Sequence, residues 1–293
     1  MKNTALLRLV ASMAIFGTIG LAVVNLPLPR GFIAMTRGAI GALALLLILL
    51  ISGKRFSFSA IKKNARLLLI SGAFIGVNWI LLFEAYSYTS VSVATLVYYM
   101  APLIVTVISA TVLGERLRIK SCICIAVALF GMLLVSGVLD GGIEDVRETV
   151  GIALSFGAAI LYALATVLNK KIKDVPAYDT SIVQLSVAFM AILPYTLLCE
   201  DVWGLEWSFQ TVALLLLVGL VHTGLAYALF FSSVKNLKGQ TVALFSYVDP
   251  CLSVLLSILF LGDEPTPTLI TGAVLIIGAL VAAELRLPKR CEG

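Results

Sequence analysis

Four ionisable side chains lie inside otherwise apolar stretches of the sequence, and these residues are the ones best placed to do chemistry. They are Asp249, Glu84, Arg37 and His222, the last being the only histidine of the chain. A charged group inside a membrane-spanning segment costs about 2.5 kcal/mol or more, so such groups usually face a cavity and take part in function. A carboxylate there binds an amine or carries a proton, a guanidinium holds a carboxylate through its planar fork, and a histidine exchanges protons near neutral pH.

Asp249 lies deepest, eight residues into the apolar stretch Thr241–Leu261. Pro250 follows it, and because a proline has no backbone N–H, it leaves the carbonyl of residue 246 without its usual helical partner. The pair therefore predicts a kinked helix with a polar pocket. The alternative is an aspartate that bonds to neighbouring helices and serves packing alone.

The other three ionisable residues each allow two interpretations. His222 either carries a proton in a coupled cycle or is a hydrogen-bonded core residue. Glu84 either binds an ammonium group or a proton, or contacts water near the membrane surface. Arg37 either points inward, where it would pair with Glu84 or with a carboxylate ligand, or extends along the helix to the lipid headgroups. The candidates for proton coupling are Asp249, His222 and Glu84.

Aromatic side chains in the same segments add a surface suited to amphiphilic molecules, because a tyrosine presents an apolar ring and a hydroxyl. Some of these aromatics are expected to be core or interfacial residues. Together with the charged residues and Asn78 they form the predicted substrate-binding set: Asp249, Glu84, Arg37, Asn78, Trp79, Tyr98, Tyr99, Tyr227 and Tyr247. Tyr162 is a further aromatic residue of this kind.

Catalytic and cofactor motifs are missing from the sequence. It contains neither the phosphate-binding pattern G-x-x-x-x-G-K-[ST], nor His-Glu-x-x-His, nor the G-x-S-x-G nucleophile elbow. The five cysteines are scattered, and one histidine does not make a metal cluster. We therefore expect no enzymatic activity, no cofactor and no metal.

Composition places these residues in a membrane protein. Apolar residues make up 60% of the chain and charged residues 13%, which excludes an ordinary soluble enzyme and a disordered chain. A bilayer core of about 30 Å is crossed by about 20 helical residues, and ten apolar segments of roughly that length follow one another. They are Leu6–Val24, Phe32–Ile51, Leu67–Ser87, Val91–Leu113, Ile119–Val138, Val150–Leu168, Ser181–Leu198, Val212–Ser232, Thr241–Leu261 and Leu269–Ala283.

The basic residues indicate how these segments are oriented. With the N-terminus in the cytoplasm, all of the 21 lysines and arginines except Arg30, Arg37 and Arg147 fall on the cytoplasmic side, as the positive-inside rule requires. The sequence therefore predicts that both termini are cytoplasmic. The membrane topology explains the positive charge of the chain, so we do not expect a nucleic-acid partner. The expected partner is the lipid bilayer.

The chain also contains an internal repeat. Residues 67–115 and 215–263, offset by 148 positions, share 12 identities in 49, including a Tyr-x-x-Pro pattern at Tyr99 to Pro102 and Tyr247 to Pro250. The repeats are predicted at 1–142 and 143–293, with five helices each. An odd number of helices inverts the second copy relative to the membrane, an architecture typical of secondary transporters. Shared prolines and glycines are assigned to the scaffold, with hinges predicted at Pro102, Pro250, Gly76 and Gly224.

The residues around these motifs resemble a known family. The run from Ala94 to Pro102 with Leu113-Gly114-Glu115, and its second copy from Val242 to Pro250 with Leu261-Gly262-Asp263, resemble the EamA-type branch of the drug/metabolite transporter superfamily. The resemblance implies an all-α integral membrane protein with ten transmembrane helices in two inverted five-helix repeats. It further implies small-molecule transport without ATP hydrolysis, frequently export of amino acids, amines or other metabolites. The second copy departs from the first in carrying Asp249 where the first has Ala101.

Residues and resemblance together lead to one functional hypothesis. We expect a secondary active transporter in the inner (plasma) membrane that exports an amino acid or a related amine. It is expected to work by alternating access, with export coupled to the movement of protons. The alternatives are a carrier of cationic drugs or quaternary amines and, from another class, a channel or a non-transporting membrane scaffold. Such a protein is complete as a monomer, and a homodimer is equally compatible with the sequence.

Overall fold

The computed structural model describes residues 2–23, 25–53, 55–89, 91–135, 146–261 and 266–284. Within these ranges every regular element is a helix. The predicted boundary between repeats at residues 142 and 143, and the motif residues Gly262 and Asp263, lie outside the described residues. The all-α class expected from the sequence is confirmed for the described part of the chain.

The helices follow one another along the chain with short connections. In order they are α1 Lys2–Gly17, α2 Ile19–Val23, α3 Arg30–Ile51, α4 Phe58–Ala85, α5 Val91–Tyr98, α6 Ala101–Leu113, α7 Ile119–Val135, α8 Val146–Lys171, α9 Ala177–Cys199, α10 Phe209–Gly219, the π-helix Leu220–Leu225, α11 Ala226–Val234, α12 Gly239–Phe245, α13 Val248–Leu256, the π-helix Ser257–Leu261 and α14 Pro267–Glu284.

Eight helical stretches of the described residues are long and apolar enough to cross a membrane. They are Asn3–Val23, Arg30–Ile51, Phe58–Ala85, Val93–Leu113, Arg147–Lys171, Ala177–Cys199, Phe209–Val234 and Gly239–Phe260. The fifth and tenth predicted segments contain shorter apolar helices, Ile119–Leu134 and Pro267–Ala279. This is a multi-pass membrane protein, and the count of ten crossings and the cytoplasmic termini stay predictions.

Large apolar side chains cover the outside of the helix bundle, which is what contact with lipid requires. On α3, for example, Leu43, Leu47 and Leu50 are each more than half exposed, whereas Leu45 and Leu49 face the interior. A soluble protein of this size would not leave so much apolar surface uncovered. The exposed apolar faces therefore mark the surface that the bilayer covers.

The helix is interrupted at the Tyr-x-x-Pro motif in both copies of the repeat. In the first copy α5 ends at Tyr98 and α6 begins at Ala101, and in the second α12 ends at Phe245 and α13 begins at Val248. Pro102 and Pro250 each lie in the first turn of the helix after the break, where a missing N–H costs least. The repeat thus places an irregular stretch of backbone at equivalent points of both halves.

Small residues allow α4 and α9 to approach closely. A methyl group at Gly76 would lie 2.8 Å from the carbonyl oxygen of Ala188, and one at Gly72 would lie 2.8 Å from the side chain of Val187. Gly224, the repeat equivalent of Gly76, contacts the backbone of Gly41 on α3. Both predicted glycine hinges therefore lie at helix–helix contacts, where close packing replaces the hydrophobic effect that is absent in lipid.

Carboxylates at the two ends of α9, Asp179 and Glu200, fasten that helix to α4 and α3. Glu200 accepts hydrogen bonds from the backbone N–H groups of Gly31 and Phe32, both at 2.7 Å, at the start of α3. At the opposite end Asp179 accepts from the N–H of Ser57, at 2.9 Å, just before α4. The exposed amides of a helix start favour negative charge, so α9 is held electrostatically to the start of α3 at one end and to the start of α4 at the other.

We predict that Gly76→Val destabilises the protein by about 3 kcal/mol, because the new side chain would overlap the backbone of α9. The measurement is the thermal midpoint of unfolding in detergent. Gly278→Val is the matched control, since nothing lies within 4 Å of a methyl group at Gly278, and we expect its midpoint to stay near that of the unmodified protein. Equal midpoints for the two variants would contradict the role of Gly76 in packing.

Candidate functional site

One internal cavity of about 360 Å³ gathers most of the predicted binding residues. Helices from both halves enclose it. Of the sequence candidates, the cavity is lined by Arg37, Trp79, Tyr98, Tyr99, Pro102, Tyr162, Tyr227 and Asp249. A space of this size with a few polar groups among apolar walls is typical of a small-molecule site.

Arg37 points into this cavity and has no carboxylate beside it. Its guanidinium carbon lies 3.8 Å from the centre of the Trp79 ring, a cation–π contact. Its Nε is buried and has no hydrogen-bond partner among the described residues. An ion pair joins Lys170 to Glu115, and none involving Arg37 is found among the described residues. The expected pairing of Arg37 with Glu84 is therefore not formed, and the planar fork is open to a ligand.

Asp249 lies on another wall of the same cavity, together with Ser246 and Ser253. The spacing of three and four residues puts these side chains on one face of α13 and the turn before it. The hydroxyl of Tyr99 is a polar neighbour of the Asp249 carboxyl group. Gly17 lets α1 approach, since a methyl group there would lie 2.7 Å from the backbone oxygen of Asp249.

Aromatic rings line the space between the two charged residues. Tyr227 packs edge-on against Trp79 at 5.9 Å and against Phe16 at 5.2 Å. Tyr98 packs in the same way against Tyr162 at 6.0 Å. Such edge-to-face pairs hold the rings in fixed orientations, so the cavity has a rigid apolar surface.

Positions related by the repeat occur as pairs around this cavity. Trp79 and Tyr227, Tyr98 and Ser246, and Ala101 and Asp249 are each separated by 148 residues, and all six line it. The shared fold therefore brings equivalent positions of the two halves to one place. At each of these positions the residues differ between the halves, which makes the cavity chemically asymmetric.

Three of the predicted binding residues lie outside the cavity lining. Asn78 is buried and donates to the carbonyl of Ala158 at 2.6 Å, which ties α4 to α8. Tyr247 is fully buried and donates to the carbonyl of Tyr99 at 3.1 Å, which ties the two helix breaks together. Glu84 accepts a hydrogen bond from the hydroxyl of Tyr195 on α9.

His222 also lies beside the cavity and not in its lining. Its Nε2 is 2.9 Å from the hydroxyl of Thr18, and its Nδ1 is 3.3 Å from the carbonyl oxygen of Leu217. The histidine belongs to the π-helix Leu220–Leu225, and Thr18 lies in the break between α1 and α2. The imidazole thus joins two irregular points of the backbone, and π-bulges of this kind are frequent at functional sites.

Several lining residues were not among the sequence candidates. Ser246 and Ser253 carry a usable signal, because they lie three and four residues from Asp249, and Ser246 is the repeat equivalent of Tyr98. Tyr86 directly follows α4, and Thr95 lies in α5, four residues before Tyr99. The first helix contributes Met13, Phe16, Ile19 and Gly20, which nothing distinguishes from their apolar neighbours in the sequence.

Metal and covalent chemistry find no support at this site. No group of three or more histidine, cysteine, aspartate or glutamate side chains that could hold a metal ion occurs in the part of the chain that the structure describes. What the residues present can do is bind: one guanidinium, one carboxyl group, hydroxyl groups and aromatic faces line the same cavity.

A family model described as the EamA-like transporter family matches residues 3–137 and 149–283. The chain belongs to the EamA-like transporter family. The match covers most of the sequence in two stretches, which agrees with the internal repeat and confirms the resemblance to the drug/metabolite transporter superfamily.

Similar proteins are named transporters. An uncharacterized transporter of Bacillus subtilis, YxxF, is 28% identical over 289 residues, 97% of this chain and 91% of its own. An aromatic amino acid exporter of Ancylobacter novellus, YddG, is 28% identical over 195 residues, 66% of each chain. One crystal structure superimposes with a TM-score of 0.86 at 20% identity and 97% coverage of both chains, which supports the fold alone. This EamA-family chain is a membrane transporter.

We predict that Arg37→Met stabilises this transporter by about 1–2 kcal/mol, because a charge held away from water without a counter-ion costs several kcal/mol, whereas the lost stacking on Trp79 costs only about 0.5–2 kcal/mol. The measurement is the thermal midpoint in detergent without added substrate. Arg66→Met, at an exposed position of α4, is the control and should leave the midpoint unchanged. A clear fall for Arg37→Met would show that Arg37 serves the fold and is not held ready for a ligand.

Proposed function

We propose that this EamA-family protein is a secondary active transporter of an amino acid or a related amine and that it works by alternating access. The observation that carries the proposal is the unpaired Arg37 in a cavity that Asp249 also lines. Each group lacks a counter-ion of its own among the described residues. A zwitterion supplies both missing charges at once.

The chemistry of each wall matches one part of such a substrate. The guanidinium of Arg37 binds a carboxylate in bidentate fashion, and Asp249 binds the ammonium group. Tyr227 lies near both charged residues, and its ring with those of Trp79 and Phe16 gives the apolar side chain a surface. A cavity of about 360 Å³ accommodates a single metabolite of this size.

The direction of transport and the apolar character of the substrate are proposed with support from a relative. The Ancylobacter novellus protein is an aromatic amino acid exporter by name. The cavity of this chain is rich in aromatic rings, which favours a substrate with a large apolar side chain. We therefore propose export of such amino acids across the inner (plasma) membrane, with both termini in the cytoplasm.

Alternating access follows from the two similar halves. Inverted repeats exchange conformations, so that inward-open and outward-open states differ little in energy. The helix breaks before Pro102 and Pro250 lie beside the cavity and supply flexible points in both halves. One chain contains the whole path, so the proposal holds for a monomer and for each subunit of a homodimer.

The first functional prediction concerns the two charged residues. In proteoliposomes tested with amino acids, amines and quaternary ammonium compounds, Asp249→Asn and Arg37→Gln should each reduce saturable counterflow of amino acids at least about tenfold, the effect of losing one charged hydrogen bond. Asp201→Asn and Arg66→Gln, which change exposed residues, should leave it unchanged.

Other outcomes of the same assay identify other functions. Counterflow of quaternary amines that survives Arg37→Gln and is lost in Asp249→Asn would replace the amino acid proposal with a cation carrier. Flux that does not saturate would indicate a channel. Absence of flux for every compound would favour a scaffold.

The second functional prediction concerns proton coupling, for which Asp249 is the best placed of Asp249, His222 and Glu84, because it alone lines the cavity. An imposed pH gradient should drive substrate accumulation by the unmodified protein, and Asp249→Asn should abolish this dependence. His222→Gln and Glu84→Gln show whether the other two residues contribute. If accumulation at clamped voltage ignores the gradient, transport is not coupled to protons.

A further inference from the structure

The cavity is closed at one end by a layer of packed side chains. Beyond the lining residues, α6 continues with Val105 and Ser109, and the start of α12 contributes Val242 and Leu244, all buried. Gly239 precedes Ser246 by seven residues, about 10 Å of helix, and α6 runs on from Pro102 to Leu113. The end of α6 and the start of α12 therefore meet on the far side of this layer.

Glu115 binds two other elements at that meeting point. One of its carboxylate oxygens accepts from the ammonium group of Lys170 at the end of α8, and the other accepts from the backbone N–H of Gly239 at 2.8 Å. The side chain of Glu115 is 17% exposed and that of Lys170 is 8% exposed. Because little water reaches this pair, its attraction is screened less than that of a surface ion pair.

Gln240 adds a second pair of bonds across the same junction. Its side-chain amide donates to the carbonyl of Arg116 at 2.8 Å and accepts from the N–H of Arg118 at 3.3 Å. The contact also depends on Gly239, because a methyl group there would lie 2.1 Å from the hydroxyl oxygen of Ser109. We call the group Glu115, Lys170, Gly239 and Gln240 the latch.

The latch joins three helical stretches that also line the cavity. The stretch containing α5 and α6 contributes Tyr98, α8 contributes Tyr162, and the stretch of α12 and α13 contributes Asp249. All three run from the cavity to the latch. The opposite end of the cavity is bordered by Ser253, which is exposed, and by Gly20, where an added methyl group would lie 4.0 Å from the Ser253 hydroxyl oxygen.

We propose that the latch is the gate on one side of the transport path, and that its bonds must break before the cavity opens at that end. The inference rests on the alternating access proposed above. Glu115 belongs to the first half, whereas Lys170 and Gly239 belong to the second. The bonds of the latch therefore form or break as the two halves move relative to each other. The basic loops assign this end to the cytoplasm, and the structure is accordingly the state closed on that side.

The test measures accessibility and needs no substrate. In a cysteine-free background, Ser246→Cys reports on the latch end of the cavity and Ser253→Cys on the opposite end. A membrane-impermeant maleimide is applied to oriented membrane vesicles from each side. In the unmodified latch, Ser246→Cys should react slowly from the cytoplasmic side.

Breaking the latch should reverse this pattern. Glu115→Gln and Lys170→Gln remove the ion pair, and Gly239→Ala separates α12 from Ser109 by steric overlap alone. Each change should raise the rate at which Ser246→Cys is labelled from the cytoplasmic side about tenfold, the shift expected for losing one hydrogen bond to a charged group. Each should also lower the rate at which Ser253→Cys is labelled from the other side. Lys171→Gln, at the exposed neighbour of Lys170, should change neither rate.

The latch and the transport proposal fail separately. Unchanged labelling in Glu115→Gln and Lys170→Gln proteins that elute as single species in detergent would overturn the latch, whatever their counterflow. Labelling that rises equally from both sides would indicate loosened packing and would overturn it as well. A side-specific shift in a protein that shows no counterflow would support the latch as a gate and overturn the substrate proposal.

Discussion

A bilayer offers no water to its interior, so every polar group that lies at membrane depth must find a partner within the protein. This constraint explains where irregular backbone is tolerated in the described structure. The break before Pro102 leaves the carbonyl of Tyr99 exposed to the interior, and the hydroxyl of Tyr247, from the equivalent break, donates to it. The π-helix around His222 and the break at Thr18 meet in the same way through one hydrogen bond. At these two places an irregular stretch of one half is thus completed by the other half.

The same constraint separates scaffold from chemistry. Residues shared by the two halves, such as the glycines and prolines, form close helix contacts and breaks, because both copies must fold alike. The residues around the cavity occupy equivalent positions but differ in type, as with Ala101 and Asp249. Duplication alone would have produced a symmetric cavity, and a small metabolite with unlike ends requires the opposite. Divergence at a few positions supplied the asymmetry without altering the fold.

Two kinds of carboxylate occur in the described structure, and their surroundings determine their use. One kind accepts hydrogen bonds from backbone N–H groups at helix starts, as Glu200, Asp179 and Glu115 do. Glu115 also accepts from the ammonium group of Lys170. The charges of these carboxylates are therefore compensated inside the protein. Asp249 has the Tyr99 hydroxyl as a polar neighbour and no ion-pair partner among the described residues. Arg37 is likewise uncompensated and rests on an aromatic face. Groups satisfied by the fold hold the helices together, and those left unsatisfied are free to bind a ligand.

The sequence alone determined the class of the protein, because hydropathy, charge asymmetry and an offset of 148 residues are local or pairwise properties of the chain. It also indicated the cavity residues Asp249, Arg37, Trp79, Tyr98, Tyr99 and Tyr227. Charged groups are costly in membrane-spanning segments, and aromatic residues with a polar group are amphiphilic, so both kinds are recognisable in the sequence. Only the tertiary structure decided which of them meet. Glu84, His222, Asn78 and Tyr247 look equally functional in the sequence, yet each bonds to a neighbouring helix. Met13 and Gly20 look like any apolar residue, yet they line the cavity. The reason is that a helix exposes a residue to lipid, to a neighbour or to a cavity according to its rotation and packing, which composition and spacing leave open.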